Sequence, residues 1–403
     1  MIKIIKSKLI VVFLKNKLIS IDSILPLALE INKCCGYRFY FIIWQYESYR
    51  SVIEDNIVMR DMAQSIGKIV CPSDPNRSII SNKIKKISII INVLSKLFFK
   101  RSYVIHFDAL DYFPLLLLAK LIKKNRIARC ESAITGRYVD NLQNNERIFN
   151  RGVLQERSPK GFLSRYEISK YPDNNSGILI GFDSEWNWFK HPDATFCKKL
   201  VFDEGKNANR YTRFISKNID HYLSQENLIS LDKNNTIILI LGHYGHNETD
   251  KNYRNKLLYE ALIVLRRLEL NVIIKPHIFC DMHLVKSIIK DSKCKGSNIY
   301  FTKIHPQVLQ KVAFTSIFVN NSSIRCEYKF TGFPVIQYNG GMYDRVFKDR
   351  CSDIICSNQH QLKNSLMSLS KDNGNDNKLK KKQENGSSCF KIGKVINCER
   401  DAR

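Results

Sequence analysis

The sequence predicts an α/β protein made of two domains, each a parallel sheet covered by helices. Three observations carry that prediction. The chain has 403 residues, more than one ordinary domain needs, so two are expected. Short β-branched runs recur along it, each followed by a polar break and a segment of helical period, the rhythm of parallel strands joined by crossover helices. The clearest stretch, Asn271 to Tyr338, repeats this rhythm: NVIIKPH, NIYFTKIHP and SIFVNNSSIRCEYKFTGFPVIQY enclose the helical segments MHLVKSIIK, QVLQKVA and IRCEYKF. Ligands of such sheets sit beyond the carboxyl ends of the strands. Here those ends carry Lys275, His277, His305, Ser322 and Ser323.

Taken in order, Leu9–Leu14 (LIVVFL) reads as a buried strand and Ser20 to Asn32 as a helix with Ser20 or Asp22 near its cap. Arg38–Trp44 is the next strand. A helix-compatible run from Glu47 to Ile66 leads to the strand Lys68–Cys71, and a basic amphipathic helix is expected over about Ile79 to Phe98. Tyr103–Leu110 is a strand carrying His106 and Asp108, Tyr112–Lys123 a helix, and Arg126–Cys130 a strand. From Asp140 to Asp173 the rhythm fails; a long loop of this kind holds an acceptor, forms a lid, or is simply solvated. Ser176–Ser184 and Lys198–Gly205 resume strand character, and Ala208 to Glu226 reads as a helix. Leu228–Asn235 is the expected interdomain linker, which sets a first domain over 1–227 and a second over 236–370. The second opens with the apolar run Ile237–Leu241, suited to a central strand, then turns at Gly242 and His243. After the helix Lys251–Leu268 and the stretch described above come an edge strand, Asp353–Ser357, and a helix, Gln359–Leu369. Residues 371–403 collapse into Lys, Asn, Asp and Gln and are expected to be a disordered, basic tail.

The net charge is +26, from 64 Lys and Arg against 38 Asp and Glu. Such a field favours anionic partners: nucleotide phosphates, acidic glycans, nucleic acid or an anionic membrane face. A bias toward Lys, Ile and Asn along the whole chain accounts for part of it. The 12 cysteines lack metal-site spacing and fit a reducing compartment, with Cys as a small hydrophobe. Neither Met1–Leu14 nor Pro114–Ile122 has the length of a signal or a span. The expected location is the cytoplasm, with charge holding the protein peripherally at the inner membrane. There is no D-x-D stretch, P-loop or G-x-S-x-G, so no metal ligand set, NTPase or hydrolase motif is evident.

Five motifs remain. Lys275 and His277 follow the strand NVII, where a cation or imidazole can stabilise a departing phosphate. Asn320–Ser323, with Asn321, Ser322 and Ser323 as candidate donor ligands, opens a helix and reads as caps or as an anion site. Glu327, one turn on, could reach a ribose or sugar hydroxyl. Asp203 and Glu204 precede Gly205 at a strand end, where one carboxylate suits a general base. His305 precedes Pro306, which fits the first turn of a helix. Read singly, each has a plainer explanation as a cap, a turn or a loop residue.

Their order is more telling. DEG, KPH, IHP, SS-x-x-x-E and G-x-P-x-I-x-Y together resemble the GT-B-fold glycosyltransferases of bacterial surface glycans, in particular the sialyltransferase, polysialyltransferase and capsular group. The resemblance covers mainly Leu200 to Tyr338. It implies two Rossmann-like domains facing across a cleft. It makes Asp203 or Glu204 the base, His277 the phosphate contact and leaving-group acid, and Ser322 and Ser323 phosphate ligands. The family pattern has Pro after the His, whereas this chain has Ile278 after His277, so His305–Pro306 is the alternative phosphate contact. Lys275, Glu327, Gly242 and His243 complete the expected donor site. The implied reaction is a metal-independent inverting transfer from a nucleotide sugar, CMP-linked acidic sugars being favoured, to an anionic glycan or glycolipid, with the donor as co-substrate and no cofactor. A sugar-nucleotide epimerase of the same fold and a basic nucleic-acid-binding protein are the alternatives.

Overall fold

The structure is a computed structural model and describes residues 9–14, 18–99, 102–107, 121–130, 176–182, 197–202, 205–242, 248–277, 280–293, 298–319, 322, 324–340 and 354–372. The chain divides between Thr212 and Arg213 into two compact units. The fold class is α/β, two Rossmann-like units each built on a parallel sheet.

The first unit holds strands β1 (Leu9–Leu14), β2 (Arg38–Ile43), β3 (Gly67–Val70), β4 (Tyr103–His106), β5 (Ile127–Cys130), β6 (Ile178–Gly181) and β7 (Lys198–Val201). They lie in the order β3-β2-β1-β4-β5-β6-β7, every pairing parallel. Helices α1 (Leu18–Cys35), α2 (Ile57–Ile66) and α3 (Ile79–Phe99) belong to the crossovers. The inner strands β1, β4, β5 and β6 are buried along nearly their whole length, as in parallel sheets covered by helices on both faces. On one face Val11, Phe13, Tyr40, Ile42 and Val104 pack with Ile89, Val93 and Leu97 of α3.

Helix α4 (Asn209–Lys217) runs across the division, and α5 (Ile219–Gln225) begins the second unit. Its strands are β8 (Thr236–Ile240), β9 (Asn271–Lys275), β10 (Ile299–Phe301), β11 (Thr315–Phe318), β12 (Val335–Tyr338) and β13 (Ile354–Cys356). The order is β10-β9-β8-β11-β12-β13, again wholly parallel. Strand order reverses between β8 and β11, the topological switch point of a doubly wound sheet. Helices α6 (Glu248–Arg267), α7 (Met282–Asp291), α8 (Pro306–Leu309), α9 (Ile324–Phe330) and α10 (Gln359–Asp372) complete the unit. Leu258, Leu262 and Leu265 of α6 pack on Ile237, Leu239 and Ile274, in one core that Leu362 and Leu366 of α10 share.

Several local expectations change. The single helix read over 208–226 is two, parted at Asn218, whose side-chain amide donates to the Phe214 carbonyl at 2.8 Å. The run 47–66 contains a π turn, Arg50–Glu54, before α2. Asp22 lies inside α1 rather than at its cap. The helix after His305 is a single turn, Pro306–Leu309. Residues 228–235 form turns and a 3-10 segment, Lys233–Asn235, leading directly into β8. Cys35, Cys71, Cys130, Cys197, Cys280 and Cys356 are free thiols, whereas Cys34 is disulfide-bonded, so Cys34 is more than a small hydrophobe. No helix among the described residues is long and apolar enough to cross a membrane. The irregular stretch 140–173 and the tail beyond Asp372 lie outside the described residues.

Candidate functional site

In the second unit all strands are parallel, so their carboxyl ends share one edge. That edge carries every described donor-site candidate. Gly242 follows β8 and is buried; the Leu241 amide before it donates to the Lys275 carbonyl at 3.0 Å. Lys275 is the last residue of β9, only 8% exposed. Burying an ammonium is costly without hydrogen-bond acceptors, and its Nζ donates to the Lys303 carbonyl at 3.1 Å.

His277 is half-buried in the turn after β9, and its carbonyl accepts the Cys280 amide at 2.9 Å. The Cys280 Sγ approaches the Gly242 carbonyl at 4.0 Å, joining the turns that follow β8 and β9. Burial pushes that thiol up to about 11. After β10, the Thr302 hydroxyl donates to Glu226 Oε2 at 2.7 Å and accepts from the Ile304 amide at 3.0 Å. That turn delivers His305, which is 2% exposed. Its Nδ1 accepts the Gln307 amide at 3.3 Å and caps α8, with Pro306 in the first turn. A neutral imidazole accepting at Nδ1 carries its proton on Nε2.

Beyond β11, the Ser322 Oγ accepts the Ile324 amide at 3.4 Å at the start of α9. The helix has seven residues, and this bond occupies an amide that the anion-site reading would have aimed at a phosphate. On the same helix stands Arg325, which is 6% exposed. Its Nη1 donates to Gln337 Oε1 at 2.6 Å and its Nε to the Ser322 carbonyl at 3.3 Å. Gln337 in turn donates to the Phe318 carbonyl at 3.1 Å. A guanidinium is thereby locked between the ends of β11 and β12, beside the switch point. Glu327 is buried on the same helix. Its charge adds to burial in holding the Tyr328 phenol well above its ordinary range, and the Tyr328 hydroxyl donates to the Pro306 carbonyl at 2.8 Å.

Two bonds therefore stitch the edge together. Lys275 reaches the turn that carries His305, and Tyr328 ties the helix of Ser322, Arg325 and Glu327 to Pro306. Sequence reading missed Arg325. The only signal was an arginine at the fourth position of S-S-I-R, in a segment of helical period. At the end of β12, Gly340 has φ of +57°, and a Cβ there would meet Leu257 Cδ2 at 2.5 Å and the Tyr253 hydroxyl at 2.8 Å. That backbone conformation favours glycine, and the lack of a side chain leaves the space to Leu257 and Tyr253.

The first unit is built differently at the corresponding place. Asp203 and Glu204 lie outside the described residues, as do His243, Asn321 and Ser323. Next to the acidic pair, Gly205 turns with φ of +48° and Lys206 is buried, its ammonium paired with Asp22 of α1. The Tyr211 hydroxyl donates to the same Asp22 carboxylate at 2.9 Å, and Arg210 Nε lies 3.3 Å from Glu30 Oε2. His106, at the end of β4, is fully buried with Nε2 2.9 Å from the Ser176 hydroxyl.

No family model matches the sequence, and no curated protein matches it. Solved structures do. A Listeria monocytogenes protein assigned as a UDP-N-acetylglucosamine 2-epimerase superposes with a TM-score of 0.50 at 10% identity, covering 91% of this chain and 89% of that one. UDP-GlcNAc 2-epimerase from Methanocaldococcus jannaschii gives 0.49 at 14% identity, covering 97% and 99%. A glycosyltransferase from Rickettsia africae gives 0.44 at 11% identity, covering 91% and 89%. At these identities the likeness to the Listeria protein concerns the fold. It is the GT-B type of two Rossmann-like domains, as the sequence predicts.

Proposed function

We propose that this chain is a sugar-nucleotide enzyme and, within that class, a glycosyltransferase acting on a surface glycan. The observation that carries the reading is the buried pair of cations at one sheet edge, Lys275 at the end of β9 and Arg325 at the start of α9, on either side of the switch point. Two positioned cations in a partly dry setting stabilise a developing phosphate charge far better than solvated ones.

The donor diphosphate or monophosphate lies against Lys275, His277, Ser322 and Arg325, with Asn321, Ser323, Gly242 and His243 as further ligands. Glu327 is the candidate for a ribose or sugar hydroxyl. His277 is assigned the phosphate contact in preference to His305, because His277 is half-buried while His305 is enclosed and spends Nδ1 on a cap. Asp203 or Glu204 takes the proton from the acceptor hydroxyl. The acceptor oxygen forms its bond to the anomeric carbon as the bond to the phosphate oxygen breaks, and the nucleotide leaves with that electron pair. One displacement inverts the anomeric centre, as in inverting glycoside hydrolysis, and needs neither a metal nor a cofactor. An acidic acceptor suits the net charge of +26, and a CMP-linked acidic sugar is the favoured donor.

A thermal-shift screen against CMP, UDP, GDP and CDP tests the class, since a ligand of the folded state raises its stability. One nucleotide raising the wild-type midpoint but not that of Arg325→Met is the expected result. No shift with any of the four would remove the reading. The second reading, an epimerase, rests on the fold shared with the Listeria protein. Conversion of UDP-GlcNAc to its 2-epimer without an acceptor would establish it over transfer.

A further inference from the structure

We propose that α3 docks this protein onto an anionic membrane surface. This inference is independent of the proposed transfer reaction. The helix has two apolar faces. Ile89, Ile90, Val93 and Leu97 are buried, with Ile89, Val93 and Leu97 packed on the sheet. On the opposite side Ile80, Ile84, Ile87, Ile91 and Phe98 are between 57% and 71% exposed. Their spacing of four and three residues brings them into one row along a helix of 3.6 residues per turn. Scattered exposed hydrophobics are ordinary, but a continuous row of large ones marks an interaction surface.

Charge identifies what covers the row. The 21 residues of α3, IISNKIKKISIIINVLSKLFF, contain Lys83, Lys85, Lys86 and Lys96 and no acidic residue. Pairing with a second copy through this face would set lysines against lysines, whereas helices that pair through such rows carry complementary flanking charges. An anionic bilayer suits both features. The isoleucines enter the boundary between headgroups and acyl chains, and Lys83, Lys85 and Lys86 meet the lipid phosphates, while Lys96 stays over the Tyr40 ring. At roughly 30 Å the helix would lie flat in the interface, with its other face still holding the sheet.

Sedimentation of the full chain with vesicles of phosphatidylcholine and phosphatidylglycerol in equal parts, and with phosphatidylcholine alone, tests this. The wild type is expected to bind the mixed vesicles. Combined replacement of Ile84→Ser, Ile87→Ser and Ile91→Ser, which leaves every charge in place, is expected to weaken binding by about tenfold or more. The combination Lys83→Gln, Lys85→Gln and Lys86→Gln keeps the apolar row and is expected to lose affinity for the mixed vesicles and to make the remainder less salt-sensitive. The lysine set decides the matter if the serine set fails to fold. Three results would overturn the proposal: no sedimentation of the wild type with mixed vesicles, undiminished binding by both variants, or a wild-type dimer that the serine variant turns into monomers.

Discussion

The two units share a strand order at their centres yet hold the charged side chains described above on different kinds of oxygen. In the first, charged groups bind each other: buried Lys206 with Asp22, and half-buried Arg210 with buried Glu30. In the second, Lys275 and Arg325 bind the carbonyls of Lys303 and Ser322 and the amide of Gln337. Those bonds help to fix the two side chains in place. The ion pairs act as a brace, whereas under the proposed function Lys275 and Arg325 serve the donor phosphate.

That contrast is open to direct tests. The largest effect is expected from Lys206→Met, which removes the cation paired with Asp22 and leaves the Tyr211 hydroxyl on that carboxylate. Loss of one partner of a buried pair costs about 3 kcal/mol or more, so the urea midpoint should fall sharply while nucleotide affinity per folded molecule stays unchanged. An altered affinity would mean that the brace also touches ligand. Lys275→Met should behave in reverse, with turnover down about a hundredfold, the cost of losing one positioned charge donor, and a melting temperature near that of wild type. A large drop in stability with normal turnover would make Lys275 a second brace. Gly340→Ala should lower stability by about 1–3 kcal/mol, measured by chemical denaturation, because its backbone is left-handed and its space is taken by Tyr253 and Leu257. The smallest effect concerns Cys280. Its thiol is raised to about 11 in the folded chain, above its ordinary unfolded value of about 8.5. The stabilisation from keeping it neutral is present below the unfolded value and fades as pH rises toward 11. Denaturation midpoints at pH 8 and pH 10 should therefore converge in Cys280→Ala relative to wild type; an identical pH dependence in both proteins would remove that role.

Much of the framework was legible in sequence because buried parallel strands write themselves as apolar runs. Ile237 to Leu241 and Asn271 to Lys275 need no partner to be read, and the polar residues that follow them mark the sheet edge. Arg325 was not legible. Its burial depends on Gln337, a residue on the neighbouring strand, and that pairing arises from sheet register rather than from spacing along the chain. Asp22 failed for a related reason. As an acid near a helix start it resembled a cap, and its real partners, Lys206 and Tyr211, are remote in sequence. Pro306 was placed correctly in the first turn after His305, yet only the structure separates His305 from His277, since burial is a tertiary property.

The wholly parallel pairing has a cost during synthesis. Strand β8 cannot find β11 through a hairpin; it must wait until the chain from Ile237 to Thr315 has been made and has closed on itself. Long closures of this kind slow folding and leave β-branched edges open to other chains in the meantime. Expression at reduced temperature should therefore raise the soluble yield of this protein more than it would for a helical bundle of similar length.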